Sequence, residues 1–465
     1  MNRASQKLMG VWVGLGPRFL PFADAATTDL PLSRLLRLSL FQVSVGMALV
    51  LLIGTLNRVM IVELGVPASL VGIMISLPLI VAPFRALIGF KSDTHRSALG
   101  WRRVPFLFRG TMIQFGGLAI MPFAILVLSG QGEAAHAPAF LGPLSAGIAF
   151  LLVGAGLHTT QTIGLALATD LASPQSQPQV VGLMYVMLLL GMAASALMFG
   201  AALTDFTPGR LIQVIQAAAV ITIILNTVAV WKQEGRNRAT AFQTRQTPGF
   251  RQSWQRMTEG TQAKRRLIAV GLGTMAFSME DVLLEPFGGQ VLHLTVSDTT
   301  KLTAVLALGG LLGFGLASRV LSQGADPFRV AGFAALAGIP AFLLVILASP
   351  LASPPMFALG TLLIGFGAGL FGHGTLTATM QNAPANQAGL ALGAWGAAQA
   401  SAAGLAIALG GVLRDLMLHL LPGAGAAFGY DVVYALEILL LCATLIAMIP
   451  LLRSPQPEAR PFLES

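Results

Sequence analysis

From residue 38 onward the chain is a succession of apolar runs separated by short polar links, each run close to the roughly 20 residues that a helix needs to cross a hydrocarbon core. Without water inside a bilayer, backbone N–H and C=O groups must be satisfied within the protein, and runs of this length do so as helices. The template places twelve spans, at 38–62, 68–90, 104–129, 143–169, 180–203, 210–232, 266–288, 299–319, 328–348, 355–380, 388–413 and 430–452. Composition agrees: 55% of residues are hydrophobic and only 10% charged, against about 25% charged in soluble domains.

The charges orient the spans. Of 28 Lys and Arg, 23 fall in alternate links and at the two ends, whereas the other links hold only Arg210, Lys301 and Arg414. The densest short link holds Lys91, Arg96, Arg102 and Arg103 against one carboxylate, Asp93. Positive-inside bias puts it, and both termini, on the cytoplasmic side. The net charge of +9 therefore reads as topology and not as a nucleic-acid footprint. The amino end resembles a signal peptide from Leu8 to Ala25, but Pro17 and Arg18 interrupt it, so it reads as retained. The one cysteine, Cys442, lies in an apolar run and excludes an internal disulfide or a cysteine metal cluster.

The longest link divides the chain. Residues 1–37 read as a cytoplasmic and interfacial segment, 38–232 as a first six-helix bundle, 233–265 as a basic linker, 266–452 as a second six-helix bundle and 453–465 as a cytoplasmic tail. In the linker, Phe250, Trp254 and Met257 have the spacing of a short helix lying at the headgroups. The halves echo one another: GAGLHTTQT from Gly154 recurs as GAGLFGHGT from Gly367, as expected of a repeated six-span unit. The fold class is an all-α polytopic membrane protein of twelve helices in two halves.

Gly89, Asp93, Arg96, Gly100, Arg102 and Arg103 resemble the signature between spans 2 and 3 of the major facilitator superfamily, with extra residues between Asp93 and Arg102. More narrowly, LNRVMIVELGVPA from Leu56, the stretch Pro83–Phe106 and FSMEDVLLEPFGG from Phe277 resemble the PucC and LhaA family, the bacteriochlorophyll delivery branch of that superfamily. The resemblance implies an assembly factor of purple phototrophic bacteria. Such a factor carries bacteriochlorophyll a or a precursor as cargo and hands it to light-harvesting α and β polypeptides, with bacteriochlorophyll synthase and the membrane insertion machinery as further partners. It implies a multi-pass protein of the inner or intracytoplasmic photosynthetic membrane. Two alternatives stand beside it: a proton-coupled solute transporter, and an antenna-binding scaffold that holds no pigment.

Charge inside a bilayer needs a partner or a water path. Asp281 and Glu285, four apart, read as sharing one face of span 7 with Glu280 adjacent, and Asn57 and Arg58 near the end of span 1 reach a similar depth. Arg58 is expected to pair with Asp281 or Glu280, as a lock between halves or as a proton-linked gate. Glu63 reads as solvated, and Glu437 as a helix contact or a pairing site. Arg85 reads as snorkelling to the headgroups or bridging to Asp170. Asp93, Arg96, Arg102 and Arg103 are expected to fasten the halves together on the cytoplasmic side.

His158 and His373 are the two histidines well inside spans. Neutral imidazole suits the axial position of a chlorin magnesium, so both are candidate pigment ligands, the alternative being a hydrogen-bonded helix contact. Gln161 beside His158, and Gly367, Gly369 and Gly372 around His373, complete the candidate set, the glycines leaving room for a flat macrocycle or a neighbouring helix. Those glycines spell G-x-G-x-x-G, yet no strand precedes them, and no P-loop exists, so no nucleotide is expected. No nucleophile, base and oxyanion set is legible, and the chain reads as a non-enzyme.

Overall fold

The computed structural model describes residues 30–80, 85, 88, 92, 101–130, 136, 138, 140–173, 176–235, 261–381 and 388–452. Four features expected from the sequence therefore lie outside the described residues: Gly89, Asp93, Arg96 and Gly100 of the basic link, most of the amino-terminal segment, the linker helix around Trp254, and the tail.

Every regular element among the described residues is helical. Eleven segments are long and apolar enough to cross a membrane, and a shorter apolar helix occupies the second position. In chain order they are α1 (Leu32–Glu63), α2 (Ala68–Ile80), α3 (Val104–Ser129), α4 (Leu141–Leu171), α5 (Gln177–Ala202) and α6 (Pro208–Val230). The second half holds α7 in two pieces (Thr261–Ala276 and Leu284–Gln290), α8 (Val296–Ser322), α9 (Pro327–Ala348), α10 (Pro354–Gln381), α11 (Ala388–Leu420) and α12 (Ala426–Leu452).

Local chemistry sets the helix ends. Asp326 caps α9 by accepting from the Phe328 and Arg329 amides, with Pro327 in the first turn. Thr207 caps α6 in the same way ahead of Pro208. Gly130 ends α3 in the left-handed conformation, φ 63°.

Within each half the tightest helix pairs are α3 on α4, α8 on α10 and α9 on α10. Between the halves, α2 packs on α11 and α5 on α8, with α1 against the interrupted α7. Glycine makes the close pairs possible. A Cβ on Gly309 of α8 would stand 2.0 Å from the Leu362 carbonyl oxygen of α10, and one on Gly365 of α10 would stand 2.0 Å from the Leu306 carbonyl oxygen. These two backbones touch, which is how helices associate where lipid supplies no hydrophobic drive.

Two helices depart from the sequence expectation. The first crossing starts earlier than residue 38 and loses regular α-winding: Val50–Leu56 and Val59–Glu63 are π-helical. The seventh is not a continuous helix over 266–288. It stops at Ala276, makes a 3-10 turn at Glu280–Val282 and restarts at Leu284. Asp281 and Glu285 consequently do not share a helical face.

The basic link also serves differently from expectation. Arg102 and Arg103 both pair with Asp170 at the end of α4, the latter at 2.9 Å, and Arg103 reaches the Ser92 hydroxyl. The Glu234 carboxylate, just past α6, accepts from the backbone amides of Arg102, Arg103 and Val104 at 2.7–3.0 Å. These ties join α3, α4 and α6 of one half, and do not fasten the two halves together. The reason is proximity: α4 and α6 end beside the start of α3 and bring their own carboxylates. Glu234→Ala removes the acceptor for three otherwise orphaned helix-start amides and should cost about 1–2 kcal/mol, read as a lower denaturation midpoint in detergent.

Candidate cargo cavity and intramembrane charge cluster

The break in α7 follows from Pro286. Proline has no N–H, so in a continuous helix the carbonyl four residues back, that of Val282, would lack its donor. Asn57 of α1 supplies one: its Nδ2 donates to the Val282 oxygen at 3.0 Å and to the Asp281 oxygen at 3.2 Å. A third tie comes from α12, where Glu437 Oε1 accepts from the Glu280 amide at 2.7 Å. Glu437 is thus a helix contact, resolving the alternative that its sequence position left open.

Arg58 does not pair with Glu280 or Asp281. It is buried, bonds the Glu63 carboxylate and donates to the Leu294 carbonyl of the other half at 3.1 Å. The π-winding of Val59–Glu63 accounts for the partner, since the neighbour one turn on in such a helix is i+5 and not i+4. Glu63 is correspondingly not simply solvated. Glu285 faces α8, accepting the Thr303 hydroxyl. Glu280, Glu285 and Glu437 each keep one carboxyl oxygen without a partner among the described residues.

A further polar knot, absent from the sequence reading, closes the same end. Gln290 Oε1 accepts from Arg414 Nη2 at 2.6 Å and from the Tyr430 hydroxyl at 2.7 Å, and Arg414 pairs with Asp415. Asp415 Oδ2 accepts from the Ser69 amide at the start of α2, 2.6 Å away. The signal was Arg414-Asp415 next to an apolar run. Hydrogen bonds join the halves at Asn57, Arg58 and Ser69, all at the membrane face opposite the basic link, and tie that face together.

Toward the basic face the halves line a partly open cavity of about 260 Å³. Its walls come from α5 (Tyr185, Leu188, Leu189, Met192), α8 (Leu306, Gly310, Phe314), α10 (Gly369, Gly372, His373, Leu376) and α11 (Trp395, Gln399), with Phe277, Glu280 and Asp281 at the α7 break. The lining is apolar and aromatic apart from a few polar groups, the usual make-up of a small-molecule site, although the volume falls just below the usual range of about 300–1,000 Å³. His373 meets the Phe314 ring edge-on, centroids 4.1 Å apart, and Trp395 Nε1 donates to Thr375 at 3.2 Å.

The candidate pigment set is not brought together. His373, Gly369 and Gly372 are at the cavity, but Gly367 packs on Phe277, whose ring a Cβ would meet at 2.9 Å. His158 and Gln161 are on α4 in the other half and do not line it. Gln161 Oε1 is taken by Arg85 Nη2 at 3.0 Å, while Arg85 Nε reaches Thr162 at 2.8 Å. Arg85 therefore neither bridges to Asp170 nor extends to the headgroups, because Asp170 is already held by Arg102 and Arg103. His158 is buried with Nδ1 unpartnered among the described residues.

Eleven long apolar helices and a shorter one, packed with α2 on α11 and α5 on α8 around a cavity tied together on one face, define a polytopic membrane protein of the major facilitator-like fold. The inward-open xylose transporter XylE from E. coli matches over 92% of this chain and 97% of its own with a TM-score of 0.65, at 14% identity, which bears on fold alone. The family model described as PUCC protein matches residues 55–456, and the chain belongs to the PucC family. The protein PucC of Rhodovulum sulfidophilum is 64% identical over 418 residues, covering 89% of this chain and 92% of that one. PucC of Cereibacter sphaeroides is 58% identical and covers 98% of each. A Rhodobacter capsulatus protein named bacteriochlorophyll synthase 44.5 kDa chain is 29% identical over 85% of this chain and 90% of its own.

Proposed function

We propose that this chain is an antenna assembly factor. It takes up bacteriochlorophyll a or a precursor within the photosynthetic membrane of a purple bacterium and passes it to newly inserted light-harvesting α and β polypeptides. Membership of the PucC family supports the photosynthetic setting. The observation that carries the cargo reading is the cavity: apolar, aromatic, bounded by α5 and α8, and tied together on the opposite face. A cargo already dissolved in the bilayer needs no ion gradient to reach such a site. In this reading both termini are cytoplasmic, α2 is a full crossing, the basic link is the cytoplasmic face, and bacteriochlorophyll synthase and the insertion machinery are neighbours in the same membrane. The protein performs no chemistry on the pigment.

His373 is the candidate axial ligand, since of the two intramembrane histidines it alone is at the cavity. The test is the pigment retained by protein purified from phototrophic membranes. Wild type and His158→Leu should keep bacteriochlorophyll, and His373→Leu should lose most of it. A wild-type protein free of pigment would overturn the proposal.

A second reading rests on one observation: Glu280 and Asp281 sit at the cavity without an ion-pair partner among the described residues. Such carboxyls suit a proton-coupled solute transporter. Uptake of a solute into vesicles that collapses with the proton gradient would select it over the assembly factor, and over a scaffold that binds antenna helices but no pigment.

A further inference from the structure

The two sides of the α5–α8 seam are built differently from the helix pairs behind them. α8 is locked to α10 backbone to backbone: a Cβ on Gly313 would stand 2.1 Å from the Phe366 oxygen, and one on Gly369 would stand 2.3 Å from the Gly310 oxygen. α5 is locked to α1 in the same way, Gly46 against the Leu188 oxygen at 2.7 Å and Gly191 against the Val43 Cα at 2.7 Å. Across the seam itself the contact changes along its length. At the opposite face a Cβ on Gly200 of α5 would stand 3.2 Å from the Ser297 backbone oxygen and 2.8 Å from the Lys301 stem of α8.

Toward the basic face the contacts are made by side chains of α5, which meet a glycine and a ring of α8. Leu189 reaches Gly310, and the Tyr185 and Phe314 rings stack with centroids 6.4 Å apart and planes inclined by 28°. Each ring is eight residues from the basic-face end of its helix, or about 12 Å into the membrane. Side-chain rotation can part such a contact, whereas the glycine-locked pairs cannot slide without backbone collision. Behind the ring pair is the cavity. Gly372 opens into it with nothing within 4 Å of a would-be Cβ, and buried Glu280 lines it at the α7 break, its Oε2 unpartnered among the described residues.

We propose that the cavity behind the Tyr185–Phe314 pair is a side pocket for a flat, largely apolar ring system that enters from the leaflet on the basic face as these two rings part. The pocket rests on the cargo reading above and adds its entrance, its door residues and its wall. At about 260 Å³ the cavity is too small to take in a whole tetrapyrrole, and parting of the seam supplies the missing width. The ties at Asn57, Arg58 and Ser69 hold the opposite face together meanwhile. Gln399, whose amide N–H groups can donate, is the polar group placed to meet carbonyls on the ring periphery.

The test is a titration of purified full-length protein in nanodiscs with bacteriochlorophyll a, following bound-pigment absorption and the rate of release to empty nanodiscs. Gly372→Phe fills the pocket from a position where a Cβ meets nothing within 4 Å, so it should keep the wild-type melting temperature and weaken binding by about tenfold or more, equivalent to at least about 1.4 kcal/mol. Phe314→Ala opens the door and should speed release severalfold. Gly116→Phe, on an equally open position of α3 away from the cavity, should change neither. Wild-type affinity in a folded Gly372→Phe protein would overturn the pocket while leaving the cargo reading intact. No binding by wild type would overturn both.

Discussion

Asn57→Leu should destabilise the protein more than any other single polar substitution in the membrane core. Two carbonyls of the α7 break, those of Asp281 and Val282, take their hydrogen bonds from one amide group across the interface between the halves. Leucine is close in size and leaves both carbonyls buried and unsatisfied, at about 1–3 kcal/mol each. Thermal unfolding in detergent, followed by loss of the monodisperse peak, should show a clear fall in midpoint. Asn57→Asp separates donation from shape: a carboxylate cannot donate, so it should fall at least as far. An Asp variant as stable as wild type would show that the break does not depend on Asn57.

The second large effect is steric. Gly309→Leu or Gly365→Leu places side chains where the backbone of the facing helix already stands, 2.0 Å from a carbonyl oxygen in each case. Neither helix can yield without separating α8 from α10, and α10 carries His373 and the glycine wall of the cavity. Overpacking commonly costs about 1–3 kcal/mol, and here the obstacle is backbone instead of a flexible side chain, so the upper end or failure to assemble is expected. Gly332→Leu on α9 is the matched control, having nothing within 4 Å. Equal yields and melting temperatures for Gly365→Leu and Gly332→Leu would contradict the packing.

The helices were legible because hydropathy and run length report directly what a bilayer demands, and α3–α6, α8–α10 and α12 begin and end near the expected positions, whereas α11 runs seven residues past the expected end at 413 to Leu420. The break in α7 was not, because hydropathy weighs side chains while the break concerns a carbonyl that Pro286 leaves without its donor. The proline stood in plain view, four residues after Val282. Arg58 was assigned its depth but the wrong partner, since an i+4 rule misses Glu63 at i+5 on a π-helix.

The glycines of α10 teach a related lesson. Gly367, Gly369 and Gly372 looked like one patch, yet at about 100° per residue they point three ways: to Phe277, to α8 and into the cavity. Only the last leaves space. Similarly, His158 and His373 are both well inside spans, but in the repeat His158 aligns with Phe371 and His373 with Thr160, so the two histidines do not occupy the same place in their halves and only His373 reaches the cavity. Arg102 and Arg103 were recognised as structural, but their carboxylates come from Asp170 and Glu234 of the same half, which link order alone does not reveal.

The most direct measurement is a transfer assay in nanodiscs that hold pigment-loaded protein together with pigment-free light-harvesting α and β polypeptides, with no proton gradient across the membrane. The account predicts that antenna-type absorption appears at the expense of the protein-bound pigment band. Pigment that stays on the protein, or transfer that appears only when a proton gradient is imposed, would contradict it.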